Sequence, residues 1–154
     1  MRRITILLLL VFSITSIYAE IKLPVIISDG MVFQRDTKFS VYGWASPDEK
    51  VTLQFNGKRY NTRADKSGSW SFELPPQKAG GPFDMVFKGE NEIKVSDILF
   101  GDVWLFSGQS NMTVMMERVK EKYPEEIINA NFPDIRYFFV PTKSELNGPE
   151  KDLP

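Results

Sequence analysis

Between residues 39 and 95 the chain never runs far without a turn signal, and between those signals apolar residues fall on every second position. Phe39, Val41 and Gly43 alternate with Ser40, Tyr42 and Trp44, and Val51, Leu53 and Phe55 alternate with Thr52 and Gln54. A period of two puts one face of a strand in a core and the other in water. Asn56-Gly57 follows directly, a pair that takes the positive φ angles of a tight hairpin turn, so residues 51–64 read as a hairpin. Asp65-Lys66-Ser67-Gly68 makes a second turn; Trp70, Phe72 and Leu74 share one face of the next strand, which Pro75-Pro76 ends. Two shorter strands are predicted at residues 83–87 and 92–95, on either side of Gly89-Glu90-Asn91. With no helical period among them, these strands predict an antiparallel β-sandwich, immunoglobulin-like or jelly-roll-like, over residues 20–97. Asp29, Gln34, Arg35 and Asp36 lie in a polar break between apolar runs and read as a paired loop network.

Around residue 98 the pattern changes. Ile98-Leu99-Phe100 and Val103-Trp104-Leu105-Phe106 are continuous apolar runs, as expected of strands covered on both faces. After Ser107-Gly108, the residues Met112, Met115, Met116 and Val119 recur at helical spacing opposite Glu117, Arg118, Lys120, Glu121 and Lys122, which predicts an amphipathic helix. Pro124 interrupts it, residues 125–129 add a further turn, and the aromatic and β-branched residues 135–140 suit another strand. Strand, helix and strand form one right-handed crossover, the opening of a parallel α/β sheet. A single crossover leaves strand edges and a helix face without partners, so residues 98–154 are expected to be the first part of a larger domain.

On this reading Ser110 sits on a strand-to-helix turn. Open α/β folds keep their ligands there, and unpaired backbone N–H groups and the helix dipole can stabilise a developing oxyanion. Ser110 is the candidate nucleophile; the competing role is a helix N-cap, which serine also favours. Gln109 and Asn111 either brace the turn or contact substrate. Asn111-Met112-Thr113 matches the N-glycosylation pattern, but a glycan there would cover the serine, and the match is read as accidental.

Residues 1–19 carry an address. Arg2 and Arg3 precede an apolar core from residue 4 to residue 12, and Ile17-Tyr18-Ala19 offers a cleavage site before Glu20, the layout of a secretory signal peptide. The run is shorter than the ~20 residues needed to span a bilayer, so the mature chain is expected to be secreted or periplasmic, with no membrane contact after cleavage. A net charge of −1 with no basic aromatic face argues against a nucleic-acid partner. The chain has no cysteine and no histidine. Thiol catalysis and cysteine-ligated zinc are thereby excluded, and no metal site is expected.

The motifs resemble the sialate O-acetylesterase family, whose esterase domain belongs to the SGNH-type hydrolases. The likeness rests on Gly101-Asp102-Val103-Trp104-Leu105-Phe106-Ser107-Gly108-Gln109-Ser110-Asn111-Met112. It is supported by Ser28-Asp29-Gly30-Met31-Val32-Phe33-Gln34-Arg35, Tyr42-Gly43-Trp44-Ala45 with Pro47, Gly68-Ser69-Trp70 and Ala79-Gly80-Gly81-Pro82. The resemblance implies a β-sandwich ahead of the esterase domain, Ser110 as nucleophile with its backbone N–H in the oxyanion hole, and no metal or organic cofactor. The implied reaction is hydrolysis of acetyl esters on sialic acids or related glycans through an acyl-enzyme. Two departures stand out. Phe106 occupies a position where relatives usually carry cysteine, and the family's later Asp and His pair and remaining oxyanion-hole residues have no counterpart in this sequence. A serine hydroxyl needs a base, and solvated Asp102 or Glu117 is too weak to serve. The chain by itself is therefore expected to be an inactive fragment. The rival reading is a secreted carbohydrate-binding β-sandwich without catalysis, with Tyr42, Trp44, Tyr60 and Trp70 stacking on sugar rings; aromatics alternating in a small sandwich are more often core.

Overall fold

The computed structural model describes residues 20–141 together with Gly148, Asp152 and Leu153; the signal-peptide reading of residues 1–19 lies outside the described residues. The strands are β1 (Val32–Gln34), β2 (Phe39–Trp44), β3 (Lys50–Phe55), β4 (Lys58–Arg63), β5 (Ser69–Leu74), β6 (Gly80–Lys88) and β7 (Glu92–Gly101). Five of them form one sheet in the order β1-β7-β6-β3-β4, and β2 pairs with β5 in a second, two-stranded sheet.

Local chemistry sets these boundaries. Asn56 and Gly57 take φ values of 47° and 71°, and the hairpin closes with Phe55 opposite Lys58 and Lys50 opposite Arg63. At the next turn the Asp65 carboxylate accepts hydrogen bonds from the backbone N–H groups of Ser67 and Ser69 and from the Ser67 hydroxyl. The alternation read from sequence is the observed burial: Phe39, Val41, Val51, Leu53, Phe55, Trp70, Phe72 and Leu74 all face one core shared by the two sheets. At one end of that core the rings of Phe33, Phe39, Phe55 and Phe100 pack together, with Phe39 and Phe100 centroids 5.0 Å apart. At the other end Trp70 lies 5.7 Å from both Phe72 and Phe87.

Gly43 shows how tight the second sheet is. A Cβ on it would come within 2.2 Å of the Lys22 carbonyl oxygen and 2.6 Å of Trp70 Cζ2, because Lys22 and Trp44 exchange backbone hydrogen bonds across this point. Gly43→Ala is expected to destabilise the fold by about 1–3 kcal/mol through overpacking. The check is a lower urea midpoint at unchanged m-value.

The structure differs from the sequence reading at β7. The expected boundary between residues 97 and 98 falls inside this strand, which runs unbroken to Gly101 and buries Ile98 and Phe100 in the core. The cause is a bulge. Phe83 pairs with Ile98 but Met85 pairs with Val95, so β7 holds one residue more than β6 at this point, and Asp97 takes a φ of 59°. The extra residue shifts the inward parity and makes Ile98-Leu99-Phe100 look like a new element. Nor is the architecture purely antiparallel: β1 runs parallel to β7, with Phe33 opposite Phe100 and Gln34 opposite Gly101.

The predicted crossover is not formed among the described residues. Residues 103–106 make no strand and are exposed, Leu105 to 93%. Two single 3-10 turns, Ser110–Thr113 and Met116–Val119, replace the amphipathic helix and bury nothing. The α-helix α1 (Pro124–Ile128) opens on Pro124 instead of being interrupted by it, and residues 135–140 are not a strand. The physical reason is the same in each case. A strand needs a neighbour for its ladder, and a short helix in water is marginal without a partner for its apolar face; among the described residues neither is supplied.

Three aspartates tie the surface of the β-module to acid stability. A hydrogen bond from Lys78 holds Asp36 below the ordinary value of 3.8, one from the Ser67 hydroxyl does so for Asp65, and one from Lys94 for Asp84. A carboxyl lowered in the folded state contributes stability that is complete above its unfolded pKa and is lost as pH falls through the folded one. The melting temperature is expected to hold between about pH 5 and 8 and to fall progressively below about pH 4, as a thermal series across that range will register.

Candidate active site

The chain leaves β7 at Gly101 under close control from β1. The Arg35 backbone N–H donates to the Gly101 carbonyl at 2.9 Å. Arg35 Nε donates to Asp102 Oδ1 at 2.9 Å, with a second guanidinium nitrogen 3.4 Å from Oδ2. The Val103 N–H donates to Gln34 Oε1 at 2.9 Å. Asp36 braces Arg35 from the other side and is itself paired with Lys78 at 2.7 Å; the hydrogen bonds that Arg35 donates to Asp102 and the charge of that carboxylate, then the same from Asp36, raise the Arg35 pKa above its ordinary value. Of the loop network expected among Asp29, Gln34, Arg35 and Asp36, the last three are linked to one another, whereas Asp29 stands apart from them and accepts from the Ser96 N–H. Sequence reasoning missed its partners Asp102 and Val103, which lie nearly seventy residues downstream. Their one signal is that both sides belong to the blocks that carry the family resemblance.

Ser110 opens the first 3-10 turn. Gln109 is the residue that caps it, with no side-chain hydrogen bond, so Ser110 does not act as the N-cap. The turn is closed through the backbone: Met112 N–H donates to the Gln109 carbonyl, Val114 N–H to the Asn111 carbonyl, and the Thr113 hydroxyl to the Ser110 carbonyl at 2.8 Å. Gln109, Ser110 and Asn111 are all exposed, and the Ser110 hydroxyl is engaged by no other described residue. The two carboxylates considered as bases are committed elsewhere, Asp102 to Arg35 and Glu117 to Lys120 at 2.6 Å. Among the described residues no group of three or more His, Cys, Asp or Glu is placed to hold a metal ion, and no helix is long and apolar enough to cross a membrane.

The four aromatic residues weighed for sugar stacking divide. Trp70 is 3% exposed and Tyr60 packs on the core. Tyr42 and Trp44 lie on the outer face of β2 as an edge-to-face pair with centroids 6.4 Å apart, Tyr42 being 44% exposed.

No family model matches the chain. A carbohydrate acetylesterase from Xanthomonas citri of known structure shares its fold, with a TM-score of 0.75 and 39% identity over 80% of this chain and 28% of that one. The fold is thus one found in a carbohydrate acetylesterase. Among curated proteins, the sialate O-acetylesterase of Pongo abelii is 32% identical over 132 residues, 77% of this chain and 25% of its own length. That of Mus musculus is 32% identical over 126 residues, 74% and 23% respectively. Over the portion it spans, the chain is similar to the sialate O-acetylesterases, and that portion is about a quarter of those relatives' length.

Proposed function

We propose that this chain is the nucleophile-bearing portion of a secreted or periplasmic serine esterase that removes O-acetyl groups from sialic acids or related acetylated sugars. The observation that carries the proposal is Ser110. It lies in the twelve-residue block of the family resemblance, in a backbone-closed turn, exposed and unengaged among the described residues. In the proposed reaction Ser110 Oγ attacks the acetyl carbon while its proton passes to a base. The Ser110 N–H steadies the oxyanion, the sugar oxygen leaves with a proton, and water then frees acetate from the acyl-enzyme. Neither a metal nor an organic cofactor takes part.

The base is a histidine oriented by an aspartate, and this sequence contains no histidine. We therefore place it in the remainder of a longer protein, where the strands and helix read from residues 103–140 also gain their partners as part of an SGNH-type domain. The β-module, a sandwich in this reading, ends at Gly101 and supports that domain. Gln109 and Asn111 border the acyl site. The test is acetate release from a chromogenic acetate ester by the complete protein, compared with its Ser110→Ala variant. Turnover that survives the substitution removes the assignment.

A further inference from the structure

We infer that Gln34 and Arg35, on the β-module, are positioning residues for the esterase site, because they set the path of the chain that carries Ser110. The inference rests on the nucleophile reading above and adds to it a part of the molecule that contains no reacting group. The parallel ladder ends where Gln34 faces Gly101, yet the grip on the chain continues for two more residues. Arg35 N–H holds the Gly101 carbonyl, its guanidinium grips the Asp102 carboxylate with two nitrogens, and Gln34 Oε1 takes the Val103 N–H in place of the backbone carbonyl a further ladder rung would offer. Three successive residues are thus fixed by two. Behind them Phe33 and Phe100 stack at 5.6 Å, which fixes both strands where the grip begins.

The far end of the excursion returns to the same strand. Arg136 donates to the Asp97 carbonyl and, at 2.9 Å, to its carboxylate, only four residues before Gly101 on β7. The segment containing Ser110 therefore leaves the β-module from one strand, β7, and rejoins it on that same strand. Exposed ion pairs contribute little to global stability, and Arg35 and Asp102 are about half exposed. Their consequence is geometric. Small displacements of a reacting group by a change remote from the chemistry can cost about a hundredfold in rate.

In the complete protein Arg35→Ala is expected to lower kcat about ten- to a hundredfold with KM and melting temperature little changed. Arg35→Lys, which keeps the charge without the two-nitrogen grip, is expected to fall between the two. An Arg35→Ala enzyme with wild-type kcat, or one whose loss tracks a fall in melting temperature, overturns the inference. An independent reading comes from amide hydrogen exchange on the present chain: Val103 is expected to be protected and to lose that protection in Gln34→Leu. A Val103 amide that exchanges freely in the unaltered chain also overturns it. If Ser110→Ala stays active while Val103 is protected, the nucleophile reading fails and the grip on the chain stands.

Discussion

Phe87→Ala is expected to cost about 3–5 kcal/mol, the range for removing a buried phenylalanine and leaving a cavity. Phe87 is wholly inaccessible and stands on β6 opposite Leu53 of β3 on one side and Ile93 of β7 on the other. Its ring meets Trp70 of the second sheet, so one side chain joins three strands of the large sheet to the small one. A domain of ordinary stability holds only about 5–15 kcal/mol in reserve, and with no cysteine in the sequence no disulfide can restrain the unfolded chain. The loss should appear as a large drop in the urea midpoint at constant m-value. Phe106→Ala, at a residue 75% exposed, should leave the midpoint of this chain where it was. Equal effects from the two would mean that the core has been placed wrongly.

The contrast between those two phenylalanines explains what could be read from the sequence. Where a strand has one wet face and one dry face, the alternation records burial directly, and it alone places Val41, Leu53, Phe72 and Leu74 in the core. Turn chemistry was equally direct, since Asn56-Gly57 and Asp65 act within a few residues of themselves. The end of β7 was not readable in the same way, because a bulge at Asp97 interrupts the period that carries the signal. Nor was the parallel edge, which joins residues 32–34 to residues 99–101 and leaves no mark on either segment alone.

Residues 103–140 fail for a different reason. Their apolar runs state what kind of surroundings they require, two covering layers for Val103 to Phe106 and a dry groove for the methionines. Among the described residues those layers are absent, and Trp104, Leu105, Phe106 and Met115 are each more than 70% exposed. A hydrophobic pattern is a demand for partners and does not itself supply them. The candidate site was legible at the level of Ser110 and its block, whereas its attachment to the β-module was hidden by the sequence separation of Arg35 and Asp102.

The largest functional effect expected is from Ser110→Ala in the complete protein: a fall in acetate release of about four orders of magnitude or more, with KM nearly unchanged. The split follows from what the hydroxyl does. It contributes little to holding an acetylated sugar in the ground state, but it supplies the bond that forms in the transition state, so its loss falls on kcat. What remains in the variant is the catalysis that oxyanion donors and binding provide without a covalent step. The 154-residue chain itself, which contains no histidine, should turn over no faster than the variant, because among the described residues its exposed serine has no partner basic enough to take the proton: Asp102 and Glu117 are each held by a cation. Measurable turnover by the chain alone that vanishes in Ser110→Ala would place the base inside these residues and contradict the division of labour proposed here. Turnover in the complete protein unaffected by Ser110→Ala would move the nucleophile elsewhere altogether.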